Sequence, residues 1–111
     1  MKTYCLALDL KDDPELIAEY RSLHQPEMIW PEVVANIKSH GVVSEEIFLL
    51  GNRMVMVLRT TDDFDFDSKA AIDGANEKMR EWEDLMWRFQ KPVPQARPGQ
   101  KWVLMEKIFE V

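Results

Sequence analysis

The sequence predicts an α+β domain with the element order βαββαβ. Its four strands form one antiparallel sheet, and its helices lie on one face of that sheet. Three observations carry the prediction. The first ten residues alternate apolar and other side chains with period two. A Gly51-Asn52 pair sits between two further apolar runs. The last third of the chain opens with apolar residues at alternating steps of three and four.

Each element has a local reason. Thr3 to Leu10 reads as a strand because Tyr4, Leu6, Leu8 and Leu10 alternate with Cys5, Ala7 and Asp9. Asp13 is suited to cap a helix and Pro14 to occupy its first turn. Leu16, Ile17, Tyr20, Leu23 and His24 then recur on one helical face, until Pro26 interrupts them. A second short helix starts near Pro31, with Trp30, Val33, Val34 and Ile37 inward, and stops at His40-Gly41. Glu46 to Leu50 and Met54 to Thr60 read as strands joined by a tight Gly51-Asn52 turn. The acidic stretch Thr61 to Asp67 reads as a loop. Ala70 to Phe89 reads as one long helix on the stripe Ile72, Ala75, Met79, Trp82, Met86 and Phe89. Pro92 to Gly99 holds three prolines and is irregular, and Trp102 to Val111 is expected to close the sheet. With the two short helices taken as one connection, this is the ferredoxin-like split βαβ arrangement. It leaves one sheet face to be covered by a ligand or a second subunit.

Composition narrows the function. The 111 residues suit a single domain, 1–111, and the 46% hydrophobic and 31% charged content is that of a folded chain. A net charge of −6 argues against nucleic acid or an anionic membrane as partner. No apolar run approaches the roughly 20 residues a membrane span needs. Met1-Lys2-Thr3-Tyr4 begins no signal-peptide core, so a cytoplasmic location is expected. Cys5 is the one cysteine, which excludes an intrachain disulfide and, with only two separated histidines, disfavours structural zinc; it reads as a small buried residue. Seven methionines are taken as core filling.

The most telling local feature is Tyr20 and His24. On a helix they share a face one turn apart, which places a phenol beside the side chain best suited to exchange protons near neutral pH. A histidine at a helix end is otherwise satisfied by a backbone carbonyl, and a tyrosine on an apolar stripe is otherwise a core aromatic. His40, before Gly41, reads as a helix-end residue favoured by the dipole.

Several motifs occur in a fixed order: Tyr20-x-x-x-His24, Ile29-Trp30-Pro31-Glu32, Ile37-Lys38-Ser39-His40-Gly41 and Trp82-x-x-x-Met86. In order and spacing the chain resembles the L-rhamnose mutarotase family over nearly its whole length. The resemblance implies a dimeric α/β-barrel built from two ferredoxin-like halves, no metal and no organic cofactor. It also implies a monosaccharide substrate, a 6-deoxy-hexose whose α and β anomers are interconverted. By the same resemblance the proton donor falls on His24 and a sugar-contacting tyrosine on Tyr20. The family's aromatic sugar contact four positions after the Ser-His-Gly glycine is here Glu45, and its Trp-Trp pair is here Glu81-Trp82. Leu85-Met86-Trp87-Arg88-Phe89 and Gly99-x-Lys101-Trp102 look more like the L-fucose branch, so L-fucose is expected ahead of L-rhamnose.

Mutarotation opens and recloses a ring, so it needs placed acid–base groups and no electron carrier. Catalytic roles are therefore expected of His24 and Tyr20. Sugar contacts are expected of Glu45, Glu81, Trp82, Trp87 and Trp30, since sugar C–H faces pack on aromatic rings and carboxylates accept from hydroxyls. Two rivals share the fold pattern. One is a dimeric α/β-barrel monooxygenase-like enzyme with aromatic ligands, and the other is a non-catalytic sugar-binding module.

Overall fold

The computed structural model describes residues 1–111. Strand β1, Lys2–Leu10, is followed by helices α1, Pro14–Leu23, and α2, Pro31–Lys38. A hairpin of β2, Val42–Leu50, and β3, Arg53–Thr60, comes next, and then α3, Phe66–Ala75, and α4, Glu77–Trp87. Two short strands finish the sheet: β4, Gln90–Lys91, and β5, Val103–Leu104. The sheet order is β2-β3-β1-β4, with β5 also on β1, and every pairing is antiparallel. This is the expected ferredoxin-like α+β arrangement.

The start of α1 follows its sequence. Asp13 Oδ1 accepts from the backbone N–H groups of Glu15 and Leu16, and Pro14 fills the first turn, where no N–H is missed. Gly51 supplies the positive φ of the β2–β3 turn.

Three expectations about the elements are corrected. The stretch expected to be one helix from Ala70 to Phe89 is two. Asn76 has an extended backbone, ends α3, and caps α4 by accepting from Met79 N–H. The apolar stripe continues across the break, so periodicity alone conceals it. The first of these helices starts at Phe66, inside the expected acidic loop, because Asp65 caps it through Ser68. The expected closing strand Trp102 to Val111 is reduced to Val103–Leu104, plus a bond from Met105 N–H to the Cys5 carbonyl. β4 and β5 divide the free edge of β1 between them, β4 at Asp9 and Leu10, β5 at Leu6 and Ala7.

All four helices lie on one sheet face. Leu8, Leu10 and Met54 pack against Tyr20, Val33, Met79, Trp82, Met86 and Phe89, with Leu8 and Phe89 fully buried. Leu6, Val42, Met56 and Leu58 form a second cluster beneath Phe64, Phe66 and Trp102. By strand alternation the opposite face carries Cys5, Ala7, Val55, Val57 and Phe48. Cys5 is thus half-buried on that face and outside the core where it was expected. Asp9 and Arg53, opposite one another across β1 and β3, form a bidentate ion pair there at 2.7 and 3.0 Å.

One irregularity in β2 sets the site. Val42 pairs with Thr60 but Ser44 pairs with Arg59, so Val43 is an extra residue in the ladder. Without it, alternation from the buried Val42 would turn Ser44 inward and Glu45 outward. The bulge reverses this, and Glu45 lies opposite the buried Leu58 on the helix-covered face. Gly41, just before the strand, has φ +83°, and a Cβ there would meet Thr61 Oγ1 at 2.9 Å. The Gly41 carbonyl also accepts from Thr61 N–H at 2.9 Å. Gly41→Ala should therefore lower the unfolding free energy by about 1–3 kcal/mol in a urea titration. An unchanged midpoint would contradict this account of the β2 entry.

Candidate active site

A cavity of about 270 Å³ lies between the helix-covered sheet face and the helices. Its wall takes Tyr20 and His24 from the end of α1, Glu45 from the bulged strand, Lys69 and Asp73 from α3, and Trp82 and Glu83 from α4. Gln90 from β4, Phe66 from α3 and Trp102 before β5 also line it. A second cavity of about 360 Å³ abuts it and shares Tyr20, His24 and Ile47. The α1 terminus thus stands between two spaces.

His24 is the C-cap of α1. Its Nδ1 lies 2.7 Å from the carbonyl oxygen of Tyr20, four residues back. A carbonyl only accepts, so Nδ1 carries the proton and donates it. In the neutral ring Nε2 then bears a free lone pair. Tyr20 stacks beside the imidazole, with ring centroids 4.3 Å apart, and Trp82 meets it edge-on at 5.4 Å. Burial among these rings lowers the His24 pKa, and the bond to the Tyr20 carbonyl opposes this in part. His24 therefore rests neutral near pH 7, a base with its acceptor nitrogen free.

Tyr20 is driven the other way. Burial pushes its phenol up to about 12, so it keeps its proton. Its hydroxyl accepts from Gln90 Nε2 at 3.4 Å, which leaves its own hydrogen available. Glu45 is raised, mainly by burial; Lys69 opposes the shift, while Glu83 and Asp73 add to it. Its neighbours are ion-paired elsewhere, Lys69 with Asp73 and Glu83 with Lys101 at 2.7 Å. Asp73 is also anchored by Asn36 Nδ2, which donates to its Oδ1 at 2.7 Å, and Asn36 is buried.

Four of the seven residues expected at the site come together on the cavity wall: Tyr20, His24, Glu45 and Trp82. The other three do not reach it. Glu81 lies on the outer face of α4, one residue or about 100° from Trp82, and pairs with Lys78. Trp30 packs behind Trp82 at 5.2 Å and supports it from outside. Trp87 lies under the Lys101 ammonium at 4.6 Å. The residues not foreseen are Lys69, Asp73, Glu83, Gln90 and Trp102. Glu83 carried a signal, since it falls on the apolar stripe with Met79 and Met86, where a carboxylate is out of place. Lys69 and Asp73 carried only i,i+4 spacing, which is ordinary on helix surfaces.

A sequence profile of the L-rhamnose mutarotase family matches residues 3–111. The chain belongs to that family. It is 45% identical to an L-fucose mutarotase of Xanthomonas campestris pv. campestris, over 98% of this chain and 87% of that protein. Two solved structures share the fold over the whole chain. One is an L-rhamnose mutarotase from Formosa agariphila, with a TM-score of 0.70, 18% identity and 99% of its own length covered. The other is the tetracenomycin F2 cyclase of Streptomyces glaucescens, with a TM-score of 0.65, 10% identity and 97% covered. Family membership makes the chain an isomerase of the mutarotase class. No helix is long and apolar enough to cross a membrane.

The neutral, Nδ1-protonated ring has a consequence for pH. If Nε2 is the working base, activity is lost when that nitrogen is protonated. The rate of anomer exchange, corrected for the uncatalysed reaction, should fall toward acid with a midpoint below the ordinary histidine value of 6.5. A midpoint above 6.5 would contradict the assignment.

Proposed function

We propose that this chain interconverts the α and β anomers of L-fucose, with L-rhamnose as the second substrate, and that His24 carries the proton. The observation that supports this most is the free Nε2 of a neutral imidazole on a cavity sized for a monosaccharide. At about 270 Å³ the space lies just below the roughly 300–1,000 Å³ of cavities for drug-sized ligands, as suits a smaller molecule. Four charged side chains on its wall suit a polyol better than a flat apolar ring system. This weighs against the aromatic-ligand rival, with which the cyclase shares only the fold.

In ring opening one proton moves from O1 to O5, the C1–O5 bond breaks, and C1=O1 forms. His24 Nε2 takes the O1 proton. The imidazolium so formed, acidified by its burial, donates to O5. Rotation about C1–C2 turns the other carbonyl face to the chain oxygen, and the same steps in reverse close the ring as the other anomer. Tyr20 keeps its proton and donates a hydrogen bond to a sugar oxygen. Glu45 accepts from a sugar hydroxyl, and Trp82 packs on a C–H face of the ring. The fucose preference rests on the Leu85–Phe89 and Lys101-Trp102 motifs and on the 45% identity to an L-fucose mutarotase. Removing the imidazole should cost about 10²- to 10⁴-fold in catalysed exchange. In His24→Ala, polarimetry of freshly dissolved L-fucose should show that loss while circular dichroism shows a folded protein. A variant as fast as wild type would remove His24 from the mechanism.

The same proposal takes residues 1–111 as one domain that works as a homodimer. Supporting it are an apolar stripe on the uncovered sheet face and an exposed Phe48, 58% accessible, on the edge strand β2. Light scattering should give twice the 13.1 kDa chain mass, and Phe48→Glu should shift it toward one chain. A wild type at 13.1 kDa would contradict the dimer.

A further inference from the structure

Gln90 is only 4% exposed, yet its Oε1 has no hydrogen-bond partner. Buried polar atoms are nearly always paired, so each exception calls for a reason. The backbone leaves the side chain little freedom. Gln90 pairs with Leu10 in the β1–β4 ladder, and both Leu10 and the preceding Phe89 are buried in the core. One end of the amide is already engaged, through the Tyr20 hydroxyl at 3.4 Å. The side chain lies on the same cavity wall as Tyr20 and His24. Exchanging the two ends of the amide does not remove the problem, since Tyr20 can satisfy only the end that faces it.

We infer that Gln90 is a specificity-determining residue, whose free amide end hydrogen-bonds one hydroxyl of the bound sugar. The inference rests on the mutarotase reading above and deepens it. A site with a buried acceptor waiting for a hydroxyl discriminates against the analogue that lacks it, because the acceptor is then left unpaired in a dry environment. Gln90 thereby fixes the rotation of the sugar in the cavity, with its anomeric end toward His24. This role is separate from positioning Tyr20, and the two are distinguished by which sugars respond to a substitution.

The test measures kcat/KM for anomer exchange of L-fucose and its 2-, 3- and 4-deoxy analogues, each normalised to its uncatalysed rate. Wild type should reject one analogue by about 10- to 100-fold relative to the other two. Gln90→Met should slow L-fucose by about that factor more than it slows that one analogue, which flattens the discrimination. Gln90→Glu, which keeps an acceptor, should restore it. If Gln90→Met slows all four sugars equally, Gln90 only positions Tyr20 and the inference is overturned. A wild type that treats the three analogues alike overturns it without any variant. A wild type that accelerates none of the four sugars overturns the mutarotase reading itself, and this inference with it.

Discussion

The bond between His24 Nδ1 and the Tyr20 carbonyl is the constraint on which the site depends. It consumes one ring nitrogen, fixes the tautomer, and leaves the other nitrogen as the free base. It also requires α1 to end where it does. In the last turn the carbonyl four residues back has no backbone N–H to accept from, so a side chain can take its place. The helix therefore has to run from the Asp13 cap to Leu23 and stop. Its ten residues set Tyr20 and His24 one turn apart, and contact with the tilted Tyr20 ring and the edge-on Trp82 ring then holds the imidazole in place.

Several polar side chains stand around the cavity, and most of them are paired. Lys69 pairs with Asp73 within α3, while Asn36 with Asp73 and Lys101 with Glu83 join neighbouring segments around the cavity and so fix its outline. Against this background the unpaired groups stand out. Glu45 has no ion pair of its own and is raised by burial, and Gln90 has an idle oxygen. His24 Nε2 is the third. All three line the same space. A polyhydroxylated ligand supplies both donors and acceptors, which is what these groups lack.

The parts of this arrangement that were legible in the sequence are those governed by neighbours along the chain. The Asp13-Pro14 start, the alternation of β1 and the Tyr20–His24 spacing each depend on a few adjacent residues, and each formed as read. The break at Asn76 was harder, because the apolar stripe of α3 and α4 keeps one phase through a single extended residue. The closing strand was shortened for another reason: β4 takes Asp9 and Leu10 on that edge of β1, and only Val103 and Leu104 pair with Ala7 and Leu6 beyond it. Among the site residues, Glu45 owed its expected place to the family resemblance, and its inward direction depends on the bulge at Val43, which no alternation rule reveals. Glu81 was expected from its coincidence with the family's Trp-Trp pair; two residues along α4 from Glu83, it lies on the outer face with Lys78 while Glu83 lines the cavity. Gln90 comes to the wall only through β4 pairing, a contact 80 residues apart along the chain.

The central claim is that this cavity turns over a free 6-deoxy-hexose. Exchange NMR at the anomeric protons of L-fucose and L-rhamnose, with catalytic amounts of protein, tests it most directly. The account predicts α–β exchange peaks for L-fucose at mixing times where the protein-free sugar shows none, with weaker exchange for L-rhamnose. Anomer exchange equal to the protein-free rate for both sugars would contradict it.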